Sequence, residues 1–218
     1  ISDCLVGSEM CIRDRPDPTE RKKGTPKFEV KNEMKAFYYG SDGNYAKLDW
    51  PKIKETMNAV HKTSFEIMTN KAPLPPRDFK MLKRYGRYWL LPQEREHIIK
   101  RGHKQFDSLI AWDYTLQEKL VNKCDFVLLP VTEDRESRCK GNNRPVDALQ
   151  QGRIVLTNPG IASYEDLKDY LYIGDLYEMY QGMINQPGQV ISKIKRAQEF
   201  IEQNYSPKAI AKKWKQVY

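Results

Sequence analysis

Cysteine and histidine are scarce in this chain. Its 218 residues hold four cysteines, Cys4, Cys11, Cys124 and Cys139, and three histidines. None of the cysteines forms a close CxxC pair, so no zinc site is suggested, and a reducing, cytoplasmic setting fits best. Long apolar runs are missing as well, and nothing approaches the ~20 residues needed to cross a membrane. Cys124 is expected to pack beside a strand as a small hydrophobe.

An initiator Met is also lacking. Residues 1–15, ISDCLVGSEMCIRDR, carry no Lys/Arg-led signal pattern and no periodicity that continues past Arg15. They resemble translated sequencing-adapter read-through at the end of a metagenomic reading frame. The expectation is a non-native segment over 1–15, a protein that continues upstream, a linker over 16–33 and one domain over 34–218.

What is present is a globular balance, 39% hydrophobic and 30% charged. The formal charge is +8, from 37 Lys and Arg against 29 Asp and Glu. Such an excess suits phosphate-bearing ligands, nucleic acid or peripheral contact with an anionic membrane, and a solvated basic surface accounts for it equally well.

From Met34 onward, short apolar runs alternate with helical patterns. Expected strands lie at Met34–Tyr39, Phe65–Met68, Ser108–Trp112, Phe126–Pro130, Ile154–Leu156 and Tyr172–Gly174. Helices are expected over Asp49–His61, with Pro51 near the start, and over Tyr114–Asn122, Asn143–Gly152 and Tyr164–Asp169. Asp175 caps a further helix, and two more run over Gln189–Asn204 and from Ser206-Pro207 to the end. This alternation predicts an α/β fold, a doubly wound, Rossmann-like parallel sheet of about six strands. Between the second and third strands, Arg77–His103 interleaves cations with Tyr85, Tyr88 and Trp89. Stacking and neutralising a nucleic acid strand is one reading. Amphipathic surface helices are preferred, because no base-reading motif is present, and no specific nucleic acid partner is expected.

The most informative stretch is Cys124–Gly152. A continuous apolar run, Phe126–Leu129, has the character of a strand buried on both faces. A charged loop comes next, ending in Lys140-Gly141-Asn142-Asn143-Arg144, and Pro145 suits the first turn of the next helix. Cations beside the N–H groups of a helix start make a place for phosphate. Asp147 lies one turn further in, within reach of a group attached to that phosphate. In a doubly wound sheet the ligand crevice lies where strand order reverses, between the first and fourth strands. The first strand ends at Gly40-Ser41, and a glycine there lets backbone approach a ligand closely. Trp112 and Tyr114, at the end of the third strand, are expected to pack into the core rather than flank a base.

Lys140, Asn143-Arg144-Pro145, Asp147-Ala148-Leu149 and Gly152, with a closing Tyr205-Ser206-Pro207 helix, resemble the C-terminal, donor-binding domain of the GT-B glycosyltransferases. The resemblance spans Met34–Tyr218 and is weak through Arg77–His103. It implies a nucleotide-sugar donor, an unknown acceptor and a missing N-terminal domain that holds most of the acceptor site and any catalytic base. It further implies that Lys140 and Arg144 neutralise the donor diphosphate, with Asn143 in support. Asp147 takes the place of the family's ribose-holding glutamate, and Gly40 and Ser41 bring the first loop to the phosphates or the acceptor. Many members carry a second glutamate eight positions earlier, where this chain has Cys139, which leaves the sugar open. No Asp-x-Asp motif stands in a suitable loop, in keeping with metal-independent chemistry and no cofactor beyond the donor substrate. Rival readings are a sugar-nucleotide epimerase of the same fold and a non-catalytic basic nucleic-acid module.

Overall fold

Ala36, Phe37, Tyr38 and Tyr39 are buried in succession along the first strand. Strand side chains alternate between faces, so an unbroken buried run requires cover on both faces of the sheet. A computed structural model describes residues 18–19, 21–41, 44–45, 47–69, 108–132 and 140–215. There the strand, β1 (Met34–Gly40), lies inside a six-stranded sheet with β2 (Thr63–Thr69), β3 (Ser108–Ala111), β4 (Phe126–Leu128), β5 (Ile154–Thr157) and β6 (Tyr172–Ile173). The strand order is β3-β2-β1-β4-β5-β6 and each pairing is parallel. The expected doubly wound sheet is therefore present, with its reversal of order between β1 and β4.

The helices begin where local chemistry starts them. In α1 (Trp50–Val60), Asp49 accepts from the Lys52 N–H at 3.1 Å and Pro51 occupies the first turn. In α2 (Tyr114–Lys123), Asp113 accepts from the Leu116 N–H at 2.8 Å. After α3 (Asn143–Gln150) and a 3-10 helix (Ala162–Tyr170), Asp175 caps α4 (Leu176–Asn185) through the N–H groups of Tyr177 and Glu178. Prolines open α5 (Pro187–Asn204) and α6 (Pro207–Lys215). One face of α5 buries Val190, Ile194, Ala197 and Ile201, the spacing expected of an amphipathic helix.

α3 stops two residues short of Gly152. Gly152 takes a left-handed φ of 79°, its N–H donates to Leu149 O at 2.9 Å, and the Arg153 N–H donates to Ala148 O at 3.0 Å. These two bonds close the helix end as a Schellman motif. Glycine is required for a second reason, because a Cβ at Gly152 would stand 2.3 Å from the Thr25 carbonyl oxygen.

That contact belongs to residues 19 and 21–28, which lie along the domain as a strap. Thr19 N–H donates to Tyr205 O (2.9 Å), Gly24 N–H to Gln150 O (2.8 Å) and Lys27 N–H to Gly152 O (3.1 Å). Gln198 Nε2 reaches both Gly24 O and Gln150 O. Arg153, itself buried, donates to the carbonyls of Cys124, Thr25, Gly152 and Asn122. Within the stretch whose polar composition suggests a linker, Thr19, Arg21 and Phe28 are buried. Arg77–His103, with the nucleic-acid reading it carries, and residues 1–15 lie outside the described residues. Among the described residues no helix is long and apolar enough to cross a membrane.

Candidate functional site

A cavity of about 390 Å3 opens at the carboxyl end of β1, facing the start of α3, and its size suits a small-molecule ligand. One wall is Tyr39, Gly40 and Ser41; the opposite wall is Asn143, Arg144 and Asp147. The rim beyond β3 adds Trp112, Tyr114 and Gln117, and the strap adds Arg21. Five of the six residues anticipated for a binding site therefore line one space. Lys140 does not line it: it precedes the N-terminal cap of α3 by two residues, and its carbonyl accepts from Ser163 Oγ.

Arg144 is fixed by β1. Its Nη1 donates to the Tyr39 carbonyl at 3.0 Å, and its own carbonyl accepts from the Tyr39 hydroxyl at 2.7 Å. Gly40 makes this possible, since a Cβ there would lie 2.6 Å from Tyr38 Oη and 2.8 Å from Arg144 Nη1. Arg144 is half-buried, whereas Tyr38, Tyr39 and Tyr164 are buried around it. Burial pushes all three phenols above their ordinary range, and the Arg144 charge works against that rise in each. Among the described residues, no partner meets the geometry of a hydrogen bond with the buried hydroxyls of Tyr38 and Tyr164.

The start of α3 has no side-chain cap, because the Asn142 amide turns away to donate to the Tyr205 hydroxyl at 2.8 Å. A helix start without a capping side chain, beside a held guanidinium, is suited to an anion. Three residues along, the Asp147 carboxylate accepts from Thr19 Oγ1 at 3.0 Å and faces Arg21 Nε at 3.8 Å. Arg21 is buried, with its guanidinium 3.8 Å above the Tyr114 ring and 3.5 Å from Glu118 Oε2.

Two placements correct the sequence reading. Trp112 and Tyr114 are 47% and 44% exposed, so they form the cavity rim and not the core. The cause is the short β3, which ends at Ala111 and delivers both residues to the loop and helix start beyond the sheet. Arg21 and Thr19 were missed, because a polar run ahead of the first strand carries no periodicity that would reveal burial. Asn158 lies outside this cavity; its side chain clamps the Val131 backbone with two bonds of 2.7 Å and borders a second cavity of about 520 Å3 beside Tyr164, Lys168 and Lys193. Glu133, Arg135, Glu136, Arg138 and Cys139 lie outside the described residues. Cys124 is buried, and desolvation raises its thiol far above the ordinary range, as befits an inert packing residue.

No protein-family model and no curated protein matches the sequence. Solved structures do match. TarM superposes with a TM-score of 0.57 at 13% identity, over 90% of this chain and 37% of its own. HepE from Anabaena, in complex with UDP and glucose, gives a TM-score of 0.54 at 10% identity, over 85% of this chain and 47% of its own. WaaG, a glycosyltransferase involved in lipopolysaccharide biosynthesis, gives 0.51 at 15% identity, over 83% and 47%. The chain shares the GT-B fold of these structures, and at 15% identity or less the likeness is one of fold. The chain spans less than half the length of each of these three structures.

Proposed function

We propose that this chain is the donor-binding half of a GT-B glycosyltransferase, holding a nucleoside diphosphate sugar in the β1–α3 cavity. The observation that carries the reading is Arg144, held between the end of β1 and the start of α3 where strand order reverses. The diphosphate rests on its guanidinium and on the helix start, with Asn143 beside it and Lys140 as a second, outlying cation. Gly40 and Ser41 bring the β1 backbone to the phosphates, and Asp147 takes the ribose hydroxyls. HepE is described as a complex with UDP and glucose, which supports a nucleotide-sugar ligand for this fold.

The chemistry is one of charge. As the glycosidic bond breaks, negative charge grows on the departing diphosphate, so a fixed cation and aligned N–H groups stabilise the transition state more than the ground state. Their orientation is set before the ligand arrives, by Tyr39 and the buried tyrosine shell. The reaction is assigned as metal-independent, with the acceptor site and catalytic base on the partner half of a longer enzyme. The chain alone is therefore expected to bind nucleotide and not to turn over.

Isothermal titration of UDP, GDP and their sugars against wild type and Arg144→Ala tests this. Micromolar to millimolar binding that weakens at least tenfold in the variant supports the reading, since a charge-assisted contact contributes about 1.5–3 kcal/mol. Equal binding by both proteins would remove Arg144 from its role.

A further inference from the structure

Tyr205 stands at the turn between α5 and α6 and is fastened on several sides. Its N–H donates to Ile201 O at 2.7 Å, and its carbonyl accepts from the Thr19 N–H at 2.9 Å. Its ring is buried against Phe200. The hydroxyl at the far end of this side chain reaches the start of α3, where it accepts from Asn142 Nδ2 at 2.8 Å.

Asn142 is the N-terminal cap residue of α3, and asparagine is among the best capping residues. A capping side chain accepts from the N–H of the second or third helical residue. In α3 the third is Pro145, which has no N–H, so the Arg144 N–H is the one group that the Asn142 side chain could cap. It does not do so. The side chain makes no cap bond, and the Asn142 backbone, at φ −92° and ψ 8°, is not in the extended conformation that capping uses. With the amide drawn aside to Tyr205, the Arg144 N–H is left uncapped and without an intrahelical partner, on a residue that lines the β1–α3 cavity.

We propose that Tyr205 is a positioning residue for the phosphate site: by holding Asn142 away from the helix start, it keeps the Arg144 N–H available to the ligand. This rests on the nucleotide reading above and extends the binding machinery to the α5–α6 turn. It accounts for a strong capping residue that leaves its own helix uncapped. A self-capped helix start is the more stable one, but a ligand has first to displace the cap. Arg144 then offers two donors, a guanidinium held by Tyr39 and an N–H kept open by Tyr205.

The test uses the full chain and Tyr205→Phe, which removes the hydroxyl and keeps the ring. Released Asn142 caps Arg144, and UDP is expected to bind about fivefold more weakly by calorimetry, the factor that corresponds to a cap of ~1 kcal/mol. Tyr205→Phe combined with Asn142→Ala has no side chain to cap with, so UDP affinity returns to within about twofold of wild type. Residue-resolved amide exchange supplies a readout that a merely structural role would not move. Without ligand, the Arg144 N–H should exchange severalfold more slowly in Tyr205→Phe than in wild type or the double variant. Melting curves accompany each variant, and wild type alone bears on the proposal if Tyr205→Phe does not fold. Its Arg144 N–H should exchange fast when free and slow with UDP; protection already complete in the free protein overturns the proposal. A loss of affinity that Asn142→Ala does not restore, with Arg144 exchange as in wild type, makes Tyr205 a structural support only and overturns it as well. UDP binding that depends on Arg144 but is unchanged in Tyr205→Phe overturns it while leaving the nucleotide reading intact. If wild type binds neither UDP nor GDP, both fall.

Discussion

Tyr39 and Arg144 hold each other by reciprocal hydrogen bonds: the phenol donates to the arginine carbonyl at 2.7 Å and the guanidinium to the tyrosine carbonyl at 3.0 Å. The pair ties the end of β1 to the first turn of α3, so the candidate cation is set by the sheet and not by its own side-chain rotamers. Tyr39→Phe removes only one of the two bonds. It is expected to cost about 1 kcal/mol of stability by urea denaturation and to weaken nucleotide binding less than Arg144→Ala does.

Gly40 tests the same arrangement from the other side. Gly40→Ala places a methyl group 2.6 Å from the hydroxyl of the buried Tyr38 and 2.8 Å from Arg144 Nη1, so one or both must shift. A stability loss of roughly 1–3 kcal/mol is expected, together with weaker nucleotide binding as the guanidinium is pushed aside. Gly141→Ala is the control, since its nearest neighbour, Asn143 Oδ1, lies at an ordinary 3.8 Å. Equal effects of the two substitutions on binding would show that the Gly40 contact does not position Arg144.

The sheet was readable because its strands are covered on both faces, so Phe126–Leu129 stands out as an unbroken apolar run. Helix starts were readable because Asp49, Asp113 and Asp175 cap by local chemistry. The β1–α3 crevice came from strand order, which the alternation of elements already implied. What composition hid was everything decided by long-range contact. The Tyr39 hydroxyl meets Arg144 at a separation of 105 residues, and Thr19 meets Asp147 at 128. No local pattern distinguishes the buried Arg21 from its exposed neighbours Lys22 and Lys23. Trp112 and Tyr114 were assigned to the core on residue type, yet a strand that stops at Ala111 leaves them at the rim.

Arg153 fastens the strap to the domain through the carbonyls of Thr25, Cys124, Asn122 and Gly152. Arg153→Met leaves several buried acceptors without their donor and should cost roughly 3 kcal/mol. Melting should then fall by about 6–12 °C, and limited proteolysis should cut ahead of β1 sooner than in wild type. An unchanged melting point would mean that the strap contributes little to the fold.

Alkaline pH should loosen the core. Burial raises the phenols of Tyr38, Tyr39 and Tyr164, pushes Tyr180 up to about 12 and raises the Cys124 thiol. Each of these groups gives up its proton earlier in the unfolded chain than in the folded one. Their stabilising contribution is complete below the ordinary thiol and phenol values of 9.0 and 10.0 and is lost as pH climbs from there toward the folded values. Lys193 and Arg153, both lowered by burial, act in the opposite direction but are two groups against five. The urea midpoint should hold steady from about pH 7 to 9 and fall above about pH 10. A midpoint that rises across that upper range would contradict the assignment of these phenols to the core.

Amide hydrogen exchange with and without saturating UDP tests the central claim most directly, because it reports where the ligand sits. Slowed exchange is predicted at Gly40–Ser41, over Asn143–Asp147 and in the strap around Arg21, with no such protection in Arg144→Ala. Protection confined to the cavity bordered by Tyr164, Lys168 and Lys193, or none anywhere in wild type, would contradict it.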